Sequence, residues 1–137
     1  MRTAAILVAR LIFAGVFALA AIFKFAAMGM TAHEIAGAGF PVPYLLAWLA
    51  AIFEVALILG FLTGAFFTET CVLAILYVLF LGFAFHGPAR WGANPMEFGF
   101  FVDHFTFTAG LLFAAVHGPG RTLALRWSLI DRNRRDR

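Results

Sequence analysis

Charge is what this chain has least of. Only 12% of its 137 residues are Asp, Glu, Lys or Arg and 64% are hydrophobic, against roughly 25% and 45–50% in soluble domains. A water-soluble fold of this length cannot hide so much apolar surface, so that class is excluded. Cysteine is nearly absent too. Cys71 stands alone, which rules out an intramolecular disulfide or a dithiol redox motif and leaves a small core hydrophobe. No Cys/His set has metal-ligand spacing, and His33-Glu34-Ile35-Ala36-Gly37 lacks the second histidine of a zinc-protease helix. No metal and no intrinsic cofactor is expected. A Gly-rich phosphate loop and a nucleophile elbow are also missing, so no catalytic residue is named. The net charge of +3 carries no basic stripe. Arg132, Arg134, Arg135 and Arg137 close the chain, with Arg121 and Arg126 just before them. This pattern excludes a nucleic-acid partner and reads as a cytoplasmic tail beside a membrane.

What is present is apolar and comes in four blocks: Thr3–Phe23, Tyr44–Leu62, Thr70–Phe85 (extended by Phe66 and Phe67) and Phe98–Val116. Each is hydrophobic all round, as expected where lipid replaces water. They predict four membrane-spanning helices at about 3–23, 44–62, 68–86 and 96–117. The fold class is therefore an all-α four-helix transmembrane bundle, one domain over 1–125 with a basic cytoplasmic tail over 126–137. An even number of spans puts both termini on the arginine-rich, cytoplasmic side. Tyr44, Trp48 and Trp91 then belt the outer interface and Trp127 the inner one.

Between the blocks, Thr31-Ala32-His33-Glu34 has capping-box spacing and predicts a short helix stopping at Gly37 or Gly39. Phe40-Pro41-Val42-Pro43 leads into the second span, since proline suits a first turn. Asn94-Pro95-Met96-Glu97 starts the fourth in the same way, with Asn94 as cap, and Gly118-Pro119-Gly120 ends it. Arg121–Ile130 predicts a short amphipathic segment on the inner surface. Gly60 and Gly64 form a small-xxx-small pattern suited to close helix packing or a homo-oligomer.

Six ionisable residues remain inside or at the ends of the blocks: Arg10, Lys24, Glu54, His86, Asp103 and His104. A charge at the centre of a spanning helix costs roughly 2.5–3.5 kcal/mol, so each needs a partner. Counting residues from the inner ends places Arg10 and Glu54 at similar depths, roughly 10 and 12 Å in, and predicts a buried Arg10–Glu54 ion pair. Lys24, His86, Asp103 and His104 gather toward the outer face, with Arg90 in the adjoining loop. A His–carboxylate–cation set there suits a quinone head group, which needs hydrogen-bond partners and a proton route. It also suits a small oxyanion held by Lys24 and Arg90. The competing reading is a polar network tying helices together. His33 and His117 read as interfacial.

The ordered set resembles the DoxX family of small four-helix bacterial membrane proteins. The residues that carry it are Arg10, Gly15 and Lys24; Gly39-Phe40-Pro41-Val42-Pro43; Glu54 and Gly60; His86; Phe100-Phe101; Gly110-Leu111-Leu112; and Gly118-Pro119-Gly120-Arg121. The chain departs from the family's pattern at Val55-Ala56-Leu57, at Gly64, and at Asp103-His104, which reverses the local charge. The resemblance implies the bacterial cytoplasmic (inner) membrane and association with quinone-linked oxidoreduction. Three functions follow as expectations: a redox-associated subunit binding quinone or a small substrate near the outer leaflet, a non-catalytic anchor or assembly subunit of a larger membrane complex, and a small-solute or proton carrier titrating at Glu54.

Overall fold

A computed structural model describes residues 2–125 and 127–130. The elements in chain order are α1 (Arg2–Ala26), α2 (Met28–Gly37), α3 (Pro43–Thr63), α4 (Phe67–His86), a 3-10 turn (Pro88–Arg90) and α5 (Met96–His117). No strand occurs among the described residues. α1, α3, α4 and α5 are long and apolar enough to cross a membrane. Most of the tail expected over 126–137, namely Arg126 and residues 131–137, lies outside the described residues.

The helix boundaries follow local chemistry. Pro43 opens α3 at its first turn and Gly64 closes it in the left-handed region, at φ +69°. At the start of α5 the Asn94 side chain accepts the backbone N–H of Met96 at 3.1 Å, the capping role its sequence position predicts. The Thr31 capping box does not form. α2 begins at Met28, three residues earlier, and the Thr31 hydroxyl donates back to the Ala27 carbonyl instead. A threonine already inside a helix has no free N–H ahead of it to cap.

The described residues fall into two helical units. The first holds α1, α2, α3 and the stretch beginning at Pro119. α1 and α3 run antiparallel: Phe25 meets Trp48 at one end (5.8 Å between ring centroids), and Phe13 and Phe17 meet Phe61 toward the other (5.4 and 5.8 Å). The buried stripe on α1 is Arg10, Phe13, Ala14, Phe17 and Ala21, and on α3 it is Ala47, Ala51, Glu54, Leu57 and Phe61. Both repeat every three or four residues, so each helix presents one face inward. Leu11, Ile12, Leu19, Ile22 and Phe23 of α1 are exposed, as are Leu45, Leu49, Ile52 and Leu59 of α3. Charged groups inside and apolar groups outside suit hydrocarbon and not water.

The second unit is an α4–α5 hairpin with the stretch beginning at Trp127. Phe67, Thr70, Cys71, Ala74, Val78 and Gly82 form the buried stripe of α4. Glu69, in its first turn, accepts the Ser128 hydroxyl and the Leu129 and Ile130 backbone N–H groups through one carboxylate oxygen.

Two sequence expectations are corrected here. Among the described residues of Arg121–Ile130 no helix occurs: a bend at Arg121 leads into a turn at Thr122–Leu123, and the Leu125 N–H donates to the Thr63 carbonyl at 2.8 Å. The carbonyls that would sustain a helix are drawn elsewhere, as described below. Within the chain Gly64 faces a loop rather than a second helix. A Cβ there would sit 3.1 Å from the Cβ atoms of both Ala124 and Pro119, so the glycine admits the 119–125 stretch against the end of α3.

Candidate functional site

The expected Arg10–Glu54 pair does not form. All the guanidinium nitrogens of Arg10 donate to backbone carbonyls: Nε to Phe61 (2.9 Å), Nη1 to Pro119 and Thr122 (both 3.0 Å), and Nη2 to Leu62 (2.7 Å) and Leu123 (2.9 Å). The Phe61 and Leu62 carbonyls belong to the last turn of α3, where helical carbonyls lack partners and the dipole is negative. A planar fork with five N–H groups therefore finds both hydrogen bonds and countercharge without any carboxylate.

Glu54 instead takes Lys24, with Nζ to Oε1 at 2.7 Å. The reason is the tilt of helical side chains toward the N-terminus. In antiparallel α1 and α3, Lys24 leans back toward the middle of α1 while Glu54 leans toward the Lys24 end, so the two converge. Arg10 and Glu54 lean apart. Depth counted along the axis put Arg10 and Glu54 together because it ignored that tilt. Lys24 is thus committed to the α1–α3 contact.

The histidines assemble in the hairpin. His86, the last residue of α4, donates from Nδ1 to Glu97 Oε2 at 2.6 Å. His104 lies beside it, its ring centroid 5.2 Å away. The Nδ1 of His104 donates to the Phe100 carbonyl at 2.7 Å. A carbonyl oxygen can only accept, so that nitrogen carries the proton and, in the neutral ring, Nε2 keeps its lone pair. Among the described residues neither Nε2 makes a hydrogen bond. Aromatic rings surround the pair. Phe100 lies 5.3 Å from the His86 ring, and Trp91 meets Phe98 and Phe101 at 5.1 and 5.3 Å while its Nε1–H donates to the His86 carbonyl at 2.9 Å.

Gly82 sets the spacing of this cluster. A Cβ on it would lie 3.0 Å from the Cβ and 3.2 Å from the Cγ of His104. Gly82→Ala is expected to push α5 outward and cost about 1–3 kcal/mol. Thermal unfolding in detergent checks the cost, and cross-linking between cysteines placed at 86 and 104 checks the widened spacing.

Of the residues expected to share one site, the structure joins His86 and His104. Asp103 is exposed on α5, because neighbouring helical positions diverge by about 100°. Arg90 is half-buried in the 3-10 turn, where its backbone carbonyl accepts from Ala93 and Asn94. The carboxylate of the cluster is Glu97, which the sequence offered only as an early helical residue. Its signal was spacing: Glu97, Phe101, His104, Thr108 and Leu111 recur every three or four residues and form the least exposed face of α5. His33 and His117 are exposed, as expected of interfacial residues.

No group of three or more metal-ligating side chains occurs among the described residues. The arrangement is a histidine held by a carboxylate, a second imidazole beside it, and flat aromatic walls. Compared with known proteins, the chain matches no curated protein and no solved structure. A family model, DoxX, matches residues 5–87. That range takes in Arg10, Lys24, Glu54 and His86, and stops before Glu97 and His104. With more than half of its length matched and four helices able to span a bilayer, this multi-pass membrane protein belongs to the DoxX family.

Proposed function

We propose that the chain is a redox-associated membrane subunit that binds the head group of a quinone, or of a similar small carbonyl or hydroxyl compound, at the loop end of the α4–α5 hairpin. The observation that carries this reading is the His86–Glu97 contact of 2.6 Å beside His104. The Nε2 of His86 is placed to accept a hydroxyl proton. Glu97 fixes the ring's orientation and faces the positive charge the ring then carries. Phe100, Phe101 and Trp91 offer flat surfaces for a ring. The chain's own groups bind and orient the head group and accept one proton from its reduced, hydroxyl-bearing form. With the arginine-rich C-terminus on the cytoplasmic side of a bacterial inner membrane, the site faces the outer leaflet.

The test is mass analysis of quinones retained by the purified protein, joined to quenching of Trp91 fluorescence by an added short-chain quinone. Wild type is expected to retain quinone. Glu97→Gln should weaken binding about 10-fold, as loss of a histidine-orienting carboxylate does elsewhere, and His86→Ala should abolish it. Asp103→Asn should leave it unchanged. A wild-type protein with no retained quinone, and quenching indifferent to Trp91→Phe, would remove the reading.

A further inference from the structure

Asp103 is the acidic residue of the described spanning helices that neither the helix contacts nor the imidazole cluster uses. It sits seven residues into α5, about 10 Å from the Met96 end. Its side chain is exposed, and so is the apolar Val102 beside it. A lysine or arginine at this depth can extend its stem to reach the interface. Aspartate has a single methylene and cannot. The same face is small around it: a Cβ on Gly99 would meet nothing within 4 Å, and Thr106 and Ala109 follow one and two turns further on. Small residues let a second helix approach closely, and a carboxylate at that contact selects what the helix must carry.

The geometry points to this face of α5 as a docking surface for a partner's transmembrane helix bearing one lysine or arginine level with Asp103. Charge complementarity argues for a cationic partner over a second copy of the chain. Copies inserted in the same direction would bring the two Asp103 carboxylates together, a like-charge contact that opposes association. The surface is separate from the imidazole pair and does not depend on the quinone reading. It gives the assembly-subunit alternative a specific recognition element.

The experiment uses the full chain in phosphatidylcholine vesicles with dye-labelled model helices of about 20 leucines, one carrying a single lysine about 10 Å below its outer end and one carrying none. Energy transfer should show the lysine helix associating at least tenfold more tightly than the leucine helix. Asp103→Asn should bring the two to the same level, Asp103→Glu should restore the difference, and Asp103→Lys should transfer the preference to a glutamate-bearing helix. Equal association of both helices with wild type would overturn the proposal. So would a lysine preference that survives Asp103→Asn, or Asp103-dependent self-association without any added helix.

Discussion

Replacement of Arg10 by methionine is expected to be among the most destabilising substitutions in the chain. The side chain is 2% exposed and donates five hydrogen bonds to carbonyls from α3 and from the 119–123 stretch. Bonds to a charged group contribute roughly 1.5–3 kcal/mol each, and a buried acceptor left unmade costs about 1–3 kcal/mol. Some of these carbonyls can find water or a neighbouring N–H once the stretch is released, so a net loss of about 3–5 kcal/mol is expected rather than the sum. In a thermal melt in detergent this corresponds to a fall on the order of 10 °C. Arg10→Lys separates the two roles of the residue. It keeps the charge and offers three donors from one point, which cannot serve carbonyls on two segments. Helix content should survive, while the released stretch should become open to trypsin at Arg121 at least tenfold faster than in wild type. Equal cleavage rates would mean that Arg10 does not hold that stretch.

Separating Lys24 from Glu54 is expected to have the next largest effect. Glu54 is 1% exposed and its ammonium partner lies 2.7 Å away. Removing one member of a buried pair typically costs 3–5 kcal/mol, because the other charge is left uncompensated. Lys24→Met alone should therefore cost about 3 kcal/mol, at the low end because the lysine side chain is 19% exposed. Glu54→Leu alone should cost a similar amount. The double substitution Lys24→Met with Glu54→Leu should recover most of the loss, since two apolar side chains of similar volume restore a neutral contact. A coupling of at least ~1 kcal/mol is expected for that cycle, and for Arg10→Met with Glu54→Leu additivity within about 0.5 kcal/mol. Coupling in the second cycle and none in the first would restore the pairing that depth counting suggests.

These experiments bear on how far the chain can be read before it is folded. The spans are legible because hydrocarbon imposes one requirement on the backbone: every N–H and C=O must be satisfied within the helix. Runs of about 20 apolar residues announce themselves for that reason. Pro43, Gly64, Asn94 and Gly118 also mark boundaries that the structure keeps within a residue, since capping is local chemistry between near neighbours. The identity of the six ionisable residues as the ones needing partners was legible too.

Their pairing was not. Arg10 is satisfied by carbonyls of residues 61, 62, 119, 122 and 123, and carbonyls leave no trace in side-chain composition. Lys24 and Glu54 meet because both lean toward the N-terminal ends of antiparallel helices, which requires knowing that α1 and α3 are neighbours. His86 meets Glu97 and not Asp103 because the face of α5 turned to α4 is fixed by close approach at Gly82. The sequence by itself determined an all-α membrane protein, its family, the helix ends and the short list of costly charges. Only the tertiary structure decided which charge answers which, because a partner is chosen by the direction a side chain leaves its helix and by which helix stands beside it, and neither is a property of the linear order of residues.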